Sequence, residues 1–172
     1  MSTLRVDNLN ARTGTKITVP TGTTLYSPGS VIQVVYTRSK LQGATSSTSP
    51  AAIDGTMDLL ITPKSTNSKI FVVYNIQCSG SSSAWNNFAY IYRNNATQLT
   101  YSNCYRVDYS NNIETTRTTL VYLDSPASIS EQRYSLYLSA TSGGNIQYNY
   151  ATSDNAGGDW GYSYAYAMEI GA

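Results

Sequence analysis

Asp154, Asn155 and Asp159 surround two glycines in "SDNAGGDWG", and clustered side-chain oxygens of this kind are what a hard cation such as calcium takes. The run lacks the spacing and terminal Glu of an EF-hand loop, so it reads as a plain hairpin turn and no metal ligands are assigned. The chain contains no histidine. That removes the commonest general base and metal ligand, and with it Ser-His-Asp and Cys-His catalysis. A glycosidase needs only two carboxylates, yet the ten acidic residues are scattered and no pair is marked by spacing. The sequence therefore predicts a protein that is not an enzyme, with no catalytic residues and no cofactor.

Cys78 and Cys104 are too few and too far apart in sequence for a disulfide framework or a structural zinc site. They read as buried free thiols, with one bridge between neighbouring strands as the alternative. Trp85 lies in "SGSSSAWNN" and Trp160 follows "DNAGGD". A ring on a loop beside Asn, Ser and Asp stacks on sugar CH groups while amides and hydroxyls meet the sugar hydroxyls. Trp85 and Trp160 are therefore candidate contacts to a surface glycan or protein receptor; the competing reading puts each at a strand end in the core. Tyr101, Tyr105 and Tyr109 share one face of "LTYSNCYRVDY" and fit a core, an assembly interface or a receptor surface equally.

The elements that position these residues are strands. Sixteen tyrosines stand against two Phe and two Trp in 172 residues, alongside abundant Ser, Thr and Asn. Tyrosine suits the half-buried surface of a sheet, and the small polar residues suit turns. "YSYAYAMEI" alternates cleanly, with Tyr162, Tyr164, Tyr166, Met168 and Ile170 on one face and Ser163, Ala165, Ala167 and Glu169 on the other. "RYSLYLSAT" alternates in the same way, and with "NIQYNYA" after the "SGG" turn it predicts a hairpin. "KIFVVYNIQC" and "VIQVVYT" are apolar on both faces, which predicts central strands covered on two sides. Further strands are expected at "MDLLIT", "FAYIYR", "LTYSNCYRVDY" and "TLVYLD", and no window shows a helical period. The expected fold is all-β, an antiparallel β-sandwich of jelly-roll type, since no Cys-Trp-Cys signature marks an immunoglobulin-like order.

Charged residues make up 12 % of the chain and the formal net charge is +1, so no basic patch is available to track a phosphate backbone and nucleic acid is not an expected partner. The first thirty residues lack the charged start and apolar run of a secretory signal, and no apolar stretch spans a bilayer, so export and membrane insertion are not expected. Within this leader, "TLRVDNL" and "TKITVP" are short extended segments flanking "NARTG". Leu4, Val6, Leu9, Ile17, Val19 and Leu25 are too many to be buried by so small a strand pair, which implies a partner surface such as identical copies. The alternative is an edge strand added to the chain's own sandwich. The division expected is an extended anchoring and oligomerisation arm at 1–30 and a β-sandwich head at 31–172. Fully extended, an arm of this length reaches about 100 Å, too short for a long shaft.

The run "MSTLRVDNLNARTGTKITVPTGTTLYSPGSVIQVV" resembles the opening of a group of tailed-bacteriophage virion proteins, in which "STL-x-VD" leads through "GT-x-x-TVP-x-GTTL" and "PG" into a β-rich head. "ITPKSTNSKIFVVYNI" and "AYAMEIGA" resemble the same group's head more loosely. The resemblance implies a structural component of the virion surface, a short homotrimeric fiber or spike whose arm contacts other virion proteins and whose head meets a bacterial surface glycan or protein. A capsid decoration with a structural role only, or a lectin-like module, is the alternative. In a protein made inside bacteria the "NNAT" sequon at Asn95 carries no meaning.

Overall fold

A computed structural model describes residues 27–53, 55–80, 86–105, 115–141, 144–149 and 162–171. Eleven strands are found among them: β1 (Val31–Ser39), β2 (Gly43–Thr45), β3 (Ala51–Ala52), β4 (Leu59–Ile61), β5 (Lys69–Gly80), β6 (Asn87–Arg93), β7 (Thr97–Tyr105), β8 (Thr115–Asp124), β9 (Gln132–Ala140), β10 (Ile146–Tyr148) and β11 (Ser163–Ile170). The helical content of the described residues is one 3-10 turn at Gly55–Met57. All pairings are antiparallel. The first sheet runs β1-β11-β5-β8, with β10 taking over the edge of β5 beyond β11 and carrying β2 outside it. The second has β3 and β4 on one edge of β9, then β6 and β7. With β3 and β4 counted as one strand position and the short β2 and β10 left aside, the eight positions stand in the strand order of a jelly roll, as the sequence predicts.

The core forms where the two sheets turn their inner faces together. Ile70, Val72, Tyr74, Ile76 and Cys78 of β5 meet Tyr134, Leu136, Leu138 and Ala140 of β9 and Ala89 and Ile91 of β6, all nearly inaccessible to water. The alternation of β11 resolves the other way from its bulk. Ala165 and Ala167 point inward, and Tyr164, Tyr166 and Met168 point out. The reason lies across the ladder, where Ala165 pairs with Tyr74 and Ala167 with Val72. The Tyr74 ring crosses the core there, placing its hydroxyl 2.7 Å from the Tyr134 carbonyl and 3.0 Å from that of Met57. A large residue at 165 would compete for the same volume.

Two of the sequence expectations are corrected. β9 and β10 are not a hairpin: β9 belongs to the second sheet, while β10 pairs with β5 and β2 in the first. The chain crosses between layers after Ala140, and Ile146 and Tyr148 are drawn into the core beside Cys78. Tyr148 also lies over Gly43 of β2, where any Cβ would overlap its ring, so only glycine fits. Nor is β1 central. Among the described residues it pairs with β11 alone, leaving Val31, Val34 and Tyr36 about half exposed or more.

Three clusters of polar groups tie elements of the sandwich together. At one end Asn149, at a positive φ of 55°, donates to the carbonyls of Ser39 and Leu41 and accepts from the Ser163 hydroxyl at 2.6 Å, joining β1, β10 and β11. At the other end Glu169 is fully buried and accepts from the Gln33 amide and the Lys64 N–H, each at 2.6 Å. Between the layers, Arg93 bridges both Asp124 oxygens at 2.8–2.9 Å, and Tyr134 donates to the same carboxylate at 2.8 Å. Burial and the Asp124 bond push the Tyr134 hydroxyl far above its ordinary pKa, and burial does the same to Tyr74.

Candidate functional site

The site residues expected from sequence fall outside the described residues: Leu4, Val6, Leu9, Ile17, Val19 and Leu25 of the arm, Trp85 and Trp160, and the Asp154, Asn155 and Asp159 cluster. Tyr109 lies outside them as well. Tyr101 is described, on the outer face of β7 and 60 % exposed, and so is not core. Cys78 and Cys104 are free and buried, one from each sheet, and close enough for a thiol hydrogen bond. That bond, together with burial, raises the Cys78 pKa well above that of an ordinary thiol, so it is an inert core residue. Asn95 occupies a three-residue turn from β6 to β7, at a φ of 57° with Asn94 at 53°, conformations that Asn tolerates, and its side chain accepts from Ser135. Among the described residues no group of three His, Cys, Asp or Glu could hold a metal ion, and no helix is long and apolar enough to cross a membrane.

What the structure brings together instead is the outer face of the first sheet. The register aligns Tyr36, Tyr166, Val73 and Val121 in one row across β1, β11, β5 and β8, and Val34, Met168, Phe71 and Leu123 in the next. Neither row contains a charge. Exposure is 61 % at Tyr36, 55 % at Val34 and 49 % at both Val121 and Leu123, while Val73 at the centre is shielded to 5 % by its neighbours. Beyond the rows the surface turns polar. Arg117 donates to Asn75, Gln77 and the Tyr162 carbonyl, and Arg38 and Lys40 stand over the Tyr162 ring at 5.2 and 5.9 Å. An apolar centre bordered by a polar, cationic rim has the anatomy of a protein interface. Glu169, the carboxylate of β11, is turned inward and held by hydrogen bonds, which keeps the face free of negative charge.

Sequence reasoning missed this face as a site, although its signal was present. Apolar residues on both parities of "VIQVVYT", "KIFVVYNIQC" and "TLVYLD" require two covers, and the sandwich supplies one.

No family model matches the chain, and no curated protein matches it. Among solved structures it is similar to the Eiger TNF from S. frugiperda, with a TM-score of 0.39, 11 % identity, 84 % of this chain covered and 94 % of that one. It is also similar to the VP2 subviral particle of infectious bursal disease virus, with a TM-score of 0.33, 11 % identity and 83 % of this chain covered. For the Gt strain of the same virus the values are 0.34, 13 % and 91 %. The chain spans 34 % and 42 % of those two viral chains.

Proposed function

We propose that the chain is a non-enzymatic structural component of a phage virion, a short homotrimeric fiber or spike whose N-terminal arm anchors it to other virion proteins and whose jelly-roll head is displayed on the particle surface. The observation that carries the reading is the uncharged double row on the outer face of β1, β11, β5 and β8, which no described residue of the chain covers. An apolar surface of this width is stabilised by removal from water, and the copies that surround it in an assembly are the occupants always present with it. The leader's resemblance to virion proteins supplies the setting and the number three.

The test is the native mass of the full chain at micromolar concentration, beside Val121→Asp and Leu123→Asp. A trimer for the parent and folded monomers for the variants is the expected result, because each variant places an unpaired carboxylate where water is excluded. A parent chain that is monomeric throughout refutes self-association. Gold-labelled antibody against the head then locates the protein on purified particles. Label at the tail supports the spike, label spread over the shell moves the assignment to a capsid decoration, and unlabelled particles refute a virion role.

A further inference from the structure

The outer face of the second sheet has a different chemistry. Phe88, Tyr90 and Tyr92 follow one another at alternate positions of β6, with Tyr101 of β7 and Tyr137 of β9 directly opposite Tyr90 on either side. Their rings form one continuous strip. Centroids lie 6.4 Å apart for Phe88 and Tyr90, 6.0 Å for Phe88 and Tyr101, 5.8 Å for Tyr90 and Tyr101, 6.4 Å for Tyr90 and Tyr92, and 4.2 Å for Tyr92 and Tyr137. Interplanar angles from 30° to 66° make the surface corrugated, so it offers both ring faces and ring edges. Two hydroxyls are pinned, Tyr90 against Ser139 at 2.9 Å and Tyr92 to Gln98 at 3.1 Å, which fixes the rings in place before any ligand arrives.

We propose that this strip binds a neutral, extended oligosaccharide of the host surface. Aliphatic residues, which dominate the other outer face, are absent from the strip, and β9 alternates Ser135, Tyr137 and Ser139 there, with both serines buried and bonded to Asn95 and Tyr90. Ring faces accept the CH-bearing faces of sugars, while hydroxyls and amides beside them meet sugar hydroxyls. The charge balance selects the class of glycan. Among the described residues, Arg133 beside the strip is paired with Asp58 and Arg93 is turned inward to Asp124, so neither holds a free cation ready for a phosphate or uronate chain. The inference deepens the proposed display role and rests on it for its biological setting.

Affinity electrophoresis of the purified full chain tests it independently of particle incorporation or trimer formation. Native gels contain dextran, yeast mannan or galactomannan as neutral probes and polygalacturonate as the anionic one. Retardation in at least one neutral gel is expected, with the apparent affinity falling about tenfold or more in Tyr101→Ala and Tyr90→Ala. Tyr101 is exposed, so its variant should fold, and native mass and circular dichroism check the fold of both variants. Migration unchanged in every neutral gel overturns the proposal. Retardation in polygalacturonate alone overturns it too, as does retention of neutral-gel binding by both folded variants or a loss of oligomeric state in Tyr101→Ala.

Discussion

Raising the pH above 10 destabilises this fold through two specific hydroxyls. Tyr74 and Tyr134 are fully buried, and both are held protonated well beyond the ordinary tyrosine pKa, Tyr74 by burial and the nearby Asp58 and Tyr134 by burial and its bond to Asp124. In the unfolded chain each ionises near pH 10. Below that pH both states carry the proton and the two groups contribute nothing to the pH dependence. Above it the unfolded state binds fewer protons than the native one, so stability falls by about 1.4 kcal/mol per pH unit for each tyrosine and by about 2.7 for the pair. At pH 11.5 the loss is about 4 kcal/mol, a large part of the 5–15 kcal/mol typical of a domain. Urea unfolding at steps between pH 8 and 12, followed by circular dichroism and tyrosinate absorbance together, measures the slope. Tyr74→Phe and Tyr134→Phe should each flatten it by about 1.4 kcal/mol per pH unit, and other groups titrating in this range cancel in the comparison. Tyr134→Phe also lowers stability at pH 7 by about 2 kcal/mol, since Asp124 loses a buried donor. Slopes unchanged in both variants, or ionisation of every tyrosine with the native spectrum intact, refute the reasoning.

Glu169→Ala should cost about 3 kcal/mol in urea unfolding, because it takes the acceptor from the Lys64 N–H, leaves the Gln33 amide with only its bond to the Thr62 carbonyl, and opens a cavity. Asn87 points in the other direction: it is fully buried and both side-chain polar atoms lack a partner among the described residues, so Asn87→Val should raise the melting temperature. Leu136→Ala, in the middle of the core, should cost about 2–5 kcal/mol, with native mass unchanged at temperatures where the head stays folded. Cys78 should resist a neutral thiol reagent in the native protein and react only at the rate of unfolding; prompt labelling at pH 7 contradicts its burial and raised pKa.

How much of this was legible beforehand depends on the strand. The alternation in "RYSLYLSAT" identifies β9 and its core face because Tyr134, Leu136 and Leu138 are bulky where their neighbours are polar. In "YSYAYAMEI" the period was equally clean, but which face turns inward was not readable. Side-chain size suggests the tyrosines, and only the pairing of Ala165 with Tyr74 explains why the alanines go in. The misplaced hairpin has a similar origin: a glycine turn between two alternating runs says that the chain reverses, and not whether it reverses within a layer or between layers. An apolar pattern on both faces predicts a central strand, which holds for β5 and fails for β1 at the edge. Trp85 and Trp160 drew attention as isolated large rings, whereas the aromatic strip is built from four strand tyrosines and Phe88 that converge only after β6, β7 and β9 pair. The two outward faces therefore depended on register, which local pattern does not contain.

The contrast between those faces bears on how one small head could hold two roles. The face of β1, β11, β5 and β8 presents Val34, Val121 and Leu123 at about half exposure, and such side chains gain only from permanent removal from water. The strip on β6, β7 and β9 is stable wet, because the Tyr90 and Tyr92 hydroxyls already have partners in Ser139 and Gln98, and its rings retain surface for a ligand that comes and goes. In a two-layer sandwich these surfaces lie on opposite sides, so an assembly can cover the aliphatic face and leave the aromatic one pointing away from its partners. A Val121→Asp head that falls to monomer while keeping its neutral-gel retardation is what this separation requires, and a variant that loses both at once ties the strip to assembly instead.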